Sequence, residues 1–294
     1  MPKTQRKLTP VVLLLVLCLL WAAATLRSDL FPRTTPRIEL SPMIGEAVIL
    51  GIFAVLATLA ALTRKSRKPQ AGTLKNSIFA GLGLFVLPLL FTEFGRTAVD
   101  DSTRIALFSL TPLFAVIFAP HIGDDIDTGQ RGGFAAAMIA VAGSALVFPM
   151  EIPNSAASFL AFCGVIASAA SIAAANCLAV SECQNVHNSP LSFAITSAGA
   201  ASLCLGALGM GFHANTADSL PLDSWSALDL FALGLLFWLM ARMSAVRMTT
   251  RFLIAPLLAN LVGLSILRPH VSWQSWLGLL MIASASGWLL FAPD

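Results

Sequence analysis

The side chains best suited to chemistry follow an apolar run in the stretch "SLTPLFAVIFAPHIGDDIDTGQRGG". They are His121, Asp124, Asp125 and Asp127. Imidazole and carboxylate groups at this spacing could chelate a divalent cation and hold a diphosphate. The same stretch carries Pro112 within the apolar run, so the alternative is a kinked membrane helix that leads into an ordinary loop.

Two carboxylates lie inside apolar segments, where acids tend to face a bundle interior or an aqueous path. They are Glu46 and Glu93, each in the outer part of its segment. Both are candidates for binding a solute, and a protonatable Glu93 would allow coupling of transport to protons. The alternative for both is an interfacial position at which the carboxylate reaches headgroup water.

Four uncharged side chains are further candidates for substrate binding. Asn260 follows Pro256 by four residues, which places it one turn along the same helix face. Asn176 ends a segment of small residues, "IASAASIAAAN", that favours close helix packing. Trp21 and Trp238 could line an apolar cavity, although core or interfacial positions are the alternative for aromatic residues.

The composition predicts helices in a membrane around these side chains. The chain has 294 residues, of which 57% are hydrophobic and 11% charged, with a mean hydropathy of +0.81. Each apolar block is long enough to cross a hydrocarbon core as a helix. We therefore predict an all-α integral membrane protein with ten transmembrane helices. The predicted spans are 8–26, 43–63, 76–95, 103–120, 132–149, 156–179, 190–211, 225–245, 250–267 and 272–291.

Charge and cysteine usage exclude several other classes of protein. A net charge of +3 spread over short loops does not indicate nucleic-acid binding. The five cysteines are odd in number and irregularly spaced, so neither a disulfide framework nor a zinc site is predicted. We expect no cofactor and no resident metal. Membrane lipid is an expected partner, because the run "RKSRKPQ" suits a position beside anionic headgroups.

The distribution of Lys and Arg predicts the orientation in the membrane. If the ten spans alternate in direction, twelve of the 18 basic residues fall on one side and six on the other. Cytoplasmic loops are enriched in Lys and Arg, so both termini are predicted to be cytoplasmic in a plasma membrane, such as a bacterial inner membrane. The first segment imitates a secretory signal, but the many later spans favour an uncleaved helix.

The chain carries a weak internal repeat at an offset of 144 residues. Pro112 then aligns with Pro256, and Gly143 aligns with Gly287. Residues 1–150 and 151–294 would form two repeats of five spans each. An odd number of spans per repeat gives the second repeat the opposite orientation, which defines an inverted-topology repeat. The paired prolines are predicted to kink helices beside a substrate path.

Sequence motifs at the ends of both halves resemble the EamA-type transporters of the drug/metabolite transporter superfamily. The motifs are "SLTPLFAVIFAPHIGDDIDTGQRGGFAAAMIAVAGSALV" and "IAPLLANLVGLSILRPHVSWQSWLGLLMIASASGWLL". In addition, "LLLVLCLLWAAATL" resembles the family's first helix, and "LLFTEFGRTAVDDSTRIALFSLTP" its third and fourth. This resemblance implies a ten-helix carrier with a central cavity that exports amino acids or other small metabolites.

Three functions remain open from the sequence. The favoured one is a secondary transporter that binds a small organic solute between the two halves and works by alternating access. The second is a membrane-embedded enzyme that acts on a lipid or a polyprenyl diphosphate, with "HIGDDID" as the cation site. The third is a membrane partner protein that does not transport. The oligomeric state does not follow from the sequence.

Overall fold

The structure is a computed structural model in which nearly every described residue is helical. It describes residues 3–30, 38–63, 71–95, 98–122, 130–185, 188–211, 220–222, 226–267 and 272–291. The helices up to residue 150 are α1 (Lys3–Leu30), α2 (Pro42–Thr63), α3 (Ala71–Gly81), α4 (Leu87–Phe94), α5 (Asp101–Phe108), α6 (Thr111–Ile122) and α7 (Gln130–Val147). The later helices are α8 (Ala156–Gln184), α9 (Pro190–Gly211), α10 (Ser226–Met240), α11 (Ala245–Thr249), α12 (Arg251–Leu267) and α13 (Trp273–Phe291).

The helices agree with the predicted apolar segments. Each of the ten segments coincides with one helix or with two consecutive helices. Within the described part of the chain, seven helical segments are long and apolar enough to cross a membrane, and three apolar helices are shorter. These features are those of a helical membrane protein.

One exception to the all-helical prediction is a short antiparallel ribbon. Strand β1 (Ile38–Leu40) pairs with strand β2 (Leu220–Leu222), with Ile38 opposite Leu222. The ribbon joins the chain just before α2 to the chain between α9 and α10. Its formation depends on a pairing between segments far apart in sequence, which local patterns do not encode.

Helix packing follows a regular scheme across the molecule. Extensive contacts join α2 to α9 and α7 to α13. Helix α6 packs on α8, and α1 packs on α12. Helix α4 also contacts α8, and α10 contacts α1. The largest buried hydrophobic cluster contains side chains from α1, α3, α6, α8, α9 and α10.

The third apolar segment changes helix type before its proline. A π-helical turn, Leu82–Val86, separates α3 from α4. Continued π geometry would pair the carbonyl of Gly83 with the N–H of residue 88, but Pro88 has no N–H. The hydroxyl of Ser171 on α8 donates to this carbonyl at 3.1 Å. A serine from the second half therefore satisfies a backbone group that the proline leaves unpaired.

The fourth apolar segment breaks rather than bends near its proline. Residues 109–110 form a turn between α5 and α6, and Pro112 is the second residue of α6. Proline is well tolerated there because the first helical N–H groups need no intrahelical partner. Thr111 Oγ1 donates to the carbonyl of Phe108 at 2.7 Å. The kink predicted at Pro112 is thus a helix break just before a buried proline.

The second proline of the repeat has a different local structure. Pro256 lies inside α12, and the break in this segment comes earlier, at Thr250 between α11 and α12. The hydroxyl of Thr250 donates to the carbonyl of Arg247 at 2.6 Å. The two halves therefore both interrupt this segment, but they place the break at different distances from the proline.

Helices α7 and α13 approach most closely through a pair of glycines. A Cβ at Gly278 would lie 2.6 Å from the carbonyl oxygen of Gly143 and 2.7 Å from Val147 Cγ2. A Cβ at Gly143 would lie 2.8 Å from the carbonyl oxygen of Gly278. Gly287, which aligns with Gly143 in the repeat, has open space within 4 Å of the point where a Cβ would lie. The close crossing thus uses Gly278.

The Gly278→Ala substitution should lower the thermal stability of the purified protein. Its methyl group would force the two backbones apart, and overpacking of this kind costs about 1–3 kcal/mol. Gly287→Ala is the matched control, because it adds a methyl group to the same helix where space is open. The measurement is the unfolding temperature in detergent. Equal unfolding temperatures for the two variants would contradict the predicted tight crossing.

Candidate functional site

The most unusual side chain in the bundle is a buried arginine at the start of α12. Arg251 is 3% exposed and lies within Ala245–Ser265, one of the segments able to cross a membrane. Charged groups in such positions are costly and tend to pair or to face a functional cavity. The surroundings of this guanidinium therefore define the candidate site.

Two oxygen atoms accept hydrogen bonds from one nitrogen of Arg251. Its Nη1 donates to the Asn176 side-chain oxygen at 3.0 Å and to the Met248 carbonyl at 3.2 Å. Asn176 is fully buried, and its own amide nitrogen donates to the carbonyl of Ile172 at 2.7 Å. That second bond orients the Asn176 oxygen toward Arg251. The guanidinium is thus held by α8 and by the short helix α11 that precedes it.

Aromatic rings and the Cys18 side chain of α1 are also close to this guanidinium. The guanidinium carbon lies 5.4 Å from the ring centre of Trp21 and 4.8 Å from that of Phe252. Phe252 in turn stacks on Phe108 of α5, with ring centres 6.2 Å apart. Cation–π contacts of this kind stabilise a charged group that is buried away from water. We call Trp21, Asn176, Arg251 and Phe252 the central cluster.

The structure brings two of the predicted substrate-binding residues together around a buried arginine that was not among the candidates. Trp21 and Asn176 both contact Arg251. Arg251 is one of the twelve basic residues counted on the predicted cytoplasmic side, but it is the first residue of α12 and is buried in the bundle. Its removal from the charge count leaves the direction of the bias unchanged. The sequence feature that could have singled out Arg251 is its position five residues before Pro256.

Asn260 lies two and a half turns beyond Arg251 on the same helix. Its amide nitrogen donates to the carbonyl of Pro256 at 2.9 Å. Both residues are half-buried. The spacing argument therefore placed Asn260 correctly relative to Pro256, and its side chain stabilises the turn that follows the proline.

The predicted carboxylates lie apart from the central cluster. Glu46 of α2 is half-buried and lies close enough to Asp229 of α10 for the two charges to interact. Glu93 is half-buried near the end of α4. Trp238 packs against the main core, and the guanidinium of the exposed Arg242 lies 4.5 Å from its ring centre.

A second polar group joins α3 to the ends of α8 and α9. Glu182 accepts hydrogen bonds from the amide nitrogens of Asn76, at 2.5 Å, and Asn188, at 2.6 Å. Thr73 Oγ1 donates to the Asn188 side-chain oxygen at 2.8 Å. We call Thr73, Asn76, Glu182 and Asn188 the carboxylate clamp. The predicted segment ended at residue 179 and therefore did not include Glu182. The helix in fact continues to Gln184.

A small, partly open pocket lies at the start of α5 and α8 and shares no residue with the central cluster. Its polar lining includes Asp100, Thr103 and Glu151. Burial would raise the pKa of Asp100, but hydrogen bonds from Ser102 and Thr103 outweigh that effect and lower it below its ordinary 3.8. The backbone N–H of Glu151 also donates to Thr103 Oγ1 at 2.9 Å. The bond from Glu151 connects α5 to the segment between α7 and α8.

The acidic stretch after Pro112 lies largely outside the described residues. Asp124, Asp125 and Asp127 all fall within 123–129. His121 is described: it is exposed, and its Nδ1 lies 3.0 Å from the carbonyl of Ile117. Among the residues that the structure describes, no three His, Cys, Asp or Glu side chains are grouped to hold a metal ion.

Comparison with known proteins establishes the fold but not the function. No family model matches the chain, and no curated protein matches its sequence. One crystal structure of another protein superposes with a TM-score of 0.68 at 15% sequence identity. The match covers 97% of this chain and 99% of that chain. The helix arrangement is therefore one that another protein adopts over its whole length.

Proposed function

We propose that the protein is a secondary transporter that exports a small organic metabolite by alternating access. Residues 1–150 and 151–294 would form two inverted five-helix repeats, with the substrate bound between them near the middle of the membrane. The proposed location is the plasma membrane, with both termini cytoplasmic. Similarity of the motifs to the EamA-type transporters is consistent with this function.

The scheme of helix contacts supports the repeat. If the ten apolar segments are numbered in chain order, segment n in the first half corresponds to segment n + 5 in the second. The contact of α6 with α8 then corresponds to that of α12 with α1, and the contact of α4 with α8 to that of α10 with α1. The pairs α2 with α9 and α7 with α13 each correspond to themselves. A twofold relation between the halves accounts for all of these contacts.

The strand ribbon supports the alternating direction of the segments. It pairs the connection between the first two segments with the connection between the seventh and the eighth. Ten alternating spans place both connections on the side opposite the termini. If one span fewer lay between the two connections, the strands would lie on opposite sides of the membrane and could not pair.

The observation that carries the proposal is the position of the central cluster. Trp21 comes from the first half, whereas Asn176 and Arg251 come from the second, and all three meet inside the apolar bundle. A carrier needs polar groups at the interface that changes when its halves rock. A purely structural bundle gains nothing from a buried charge at that interface, because burial of an ion is costly.

Transport should fall in two variants that alter polar side chains along the proposed path. We expect Asn260→Leu and Glu93→Gln each to reduce solute efflux from reconstituted vesicles about tenfold, as loss of one hydrogen bond of about 1.5 kcal/mol implies. The solutes to test are those whose cellular levels fall when the protein is overexpressed. Efflux would be followed with radiolabelled solute at equal protein content.

Matched controls separate this effect from general damage. Ser265→Ala alters an exposed polar side chain of the same helix as Asn260, and Asp101→Asn neutralises an exposed carboxylate. Both controls should transport like the parent protein. Unchanged efflux by both test variants would remove Asn260 and Glu93 from the binding site, and no depleted metabolite in overexpressing cells would count against export itself.

A further inference from the structure

The hydrogen-bonding pattern of Arg251 leaves one edge of its guanidinium unused. The group has five N–H donors, and both of its hydrogen bonds start from Nη1. Its Nε is buried and has no hydrogen-bond partner in the described part of the chain. No described atom accepts a bond from Nη2 either. The Nε and Nη2 edge therefore has donors that no described atom satisfies, and its two parallel N–H groups suit a bidentate acceptor.

The charge of Arg251 also lacks a counter-ion among the described side chains. The described carboxylates are placed elsewhere: Glu182 is held by two amides, and Asp101 pairs with Arg104. Asn176, the side chain that binds Arg251, is neutral. The central cluster thus carries a net positive charge in a segment able to cross a membrane. A bound anion would neutralise it.

The donor geometry of the site favours an oxyanion such as a carboxylate. The free edge of a guanidinium matches the two oxygens of a carboxylate, which it binds through two parallel hydrogen bonds. The rings of Trp21 and Phe252 flank the guanidinium and offer apolar surface to the body of a ligand. No described carboxylate pairs with Arg251 or interacts with its charge, so the site offers no partner for an ammonium group beside that anion.

We propose that Arg251 binds the carboxylate of the transported solute through its Nε and Nη2 edge, and that the solute is an organic acid without a neighbouring amino group. This inference rests on the proposed transport function and specifies its substrate class. The apolar or aromatic part of the acid lies against Trp21 and Phe252. Zwitterionic amino acids bind more weakly, because their ammonium group would stand beside the positive charge of Arg251.

The first test uses ligand binding to the full-length protein in detergent. Probes are acetate, pyruvate, benzoate and phenylpyruvate, with benzamide and phenylalanine as the neutral and zwitterionic counterparts, all in a chloride buffer. We expect the acids, phenylpyruvate most of all, to raise the unfolding temperature, and benzamide and phenylalanine to have little effect. Equal stabilisation by benzoate and benzamide, or none by any acid, would overturn the proposal.

Substitutions then test the role of Arg251 itself. Arg251→Gln should weaken binding of phenylpyruvate about tenfold or more, because it removes a charge-assisted bidentate contact. Arg251→Lys keeps the charge but loses the planar edge, so its affinity should be intermediate. Arg242→Gln is the matched control, since Arg242 also lies over a tryptophan ring but is exposed. Parent-like binding by Arg251→Gln would overturn the assignment.

A further variant guards against misfolding of the arginine substitutions. Asn176→Asp places a carboxylate beside Arg251 without removing the guanidinium, so it should weaken acid binding. Its unfolding temperature without ligand checks that the variant is folded. Undiminished binding by this variant would contradict the proposed site. Transport in vesicles separates the two proposals. Bound acids that are not moved would refute the transporter, whereas transport of uncharged solutes without acid binding would refute only the carboxylate site.

Discussion

The Asn176→Leu variant should unfold at a markedly lower temperature than the parent protein. Leucine is similar in shape to asparagine but cannot accept the hydrogen bond from Arg251 Nη1. The guanidinium would then remain buried with the Met248 carbonyl as its one described oxygen partner. Loss of a buried hydrogen bond to a charged group costs about 3 kcal/mol, since the charge stays without compensation.

A double substitution distinguishes this cause from simple loss of packing. Arg251→Met together with Asn176→Leu removes both the charge and its partner, and apolar replacement of a buried polar pair is often neutral. The double variant should therefore be more stable than Asn176→Leu alone. Unfolding temperatures in detergent provide the measurement, with Asn260→Leu as a control that loses only a bond within its own helix. Additive losses in the double variant would show that the two residues are not coupled.

Arg251 also shows why hydropathy places helices better than it places functional groups. Apolar stretches of sufficient length form helices because the backbone must satisfy its own hydrogen bonds away from water, and the helices here follow the predicted segments. A charged side chain next to a predicted helix end, however, can either stay exposed or turn into the bundle. Arg242 is exposed, whereas Arg251, nine residues later, turns into the bundle. Only the packing of α1, α8 and α12 decides between them.

Features that depend on distant segments were the ones that the sequence did not predict. Ser171 lies on a helix for which close packing was expected, yet its bond to Gly83 depends on a π-helical turn in another helix. The strand ribbon likewise requires residues 38–40 and 220–222 to meet. Asn176, by contrast, stands out in the sequence as a single amide among small apolar residues, and the structure buries it with partners inside the bundle. Its role in substrate binding stays a prediction.

The second large effect is expected from substitution in the carboxylate clamp, because the clamp joins the two proposed halves of the protein. Thr73 and Asn76 belong to the first half, and Glu182 and Asn188 to the second. In the proposed topology the clamp lies at the cytoplasmic ends of the helices, on the side opposite the strand ribbon. Its bonds must break if the halves separate there to admit a solute from the cytoplasm. In the proposed transport mechanism we therefore expect the clamp to stabilise the state that is closed toward the cytoplasm.

Glu182→Ala should shift the protein toward the state that is open to the cytoplasm. The substitution removes two hydrogen bonds to a charged acceptor, each worth about 1.5–3 kcal/mol, so the population of open molecules should rise at least about tenfold. Hydrogen exchange measured by mass spectrometry should be faster in residues 71–80 and 182–193, and unchanged in α7 and α13. Asp101→Ala is the control, because it removes an exposed carboxylate whose pairing with Arg104 is a surface contact. Faster exchange throughout Glu182→Ala would indicate general destabilisation, whereas unchanged exchange at residues 71–80 would show that the clamp does not hold the halves together.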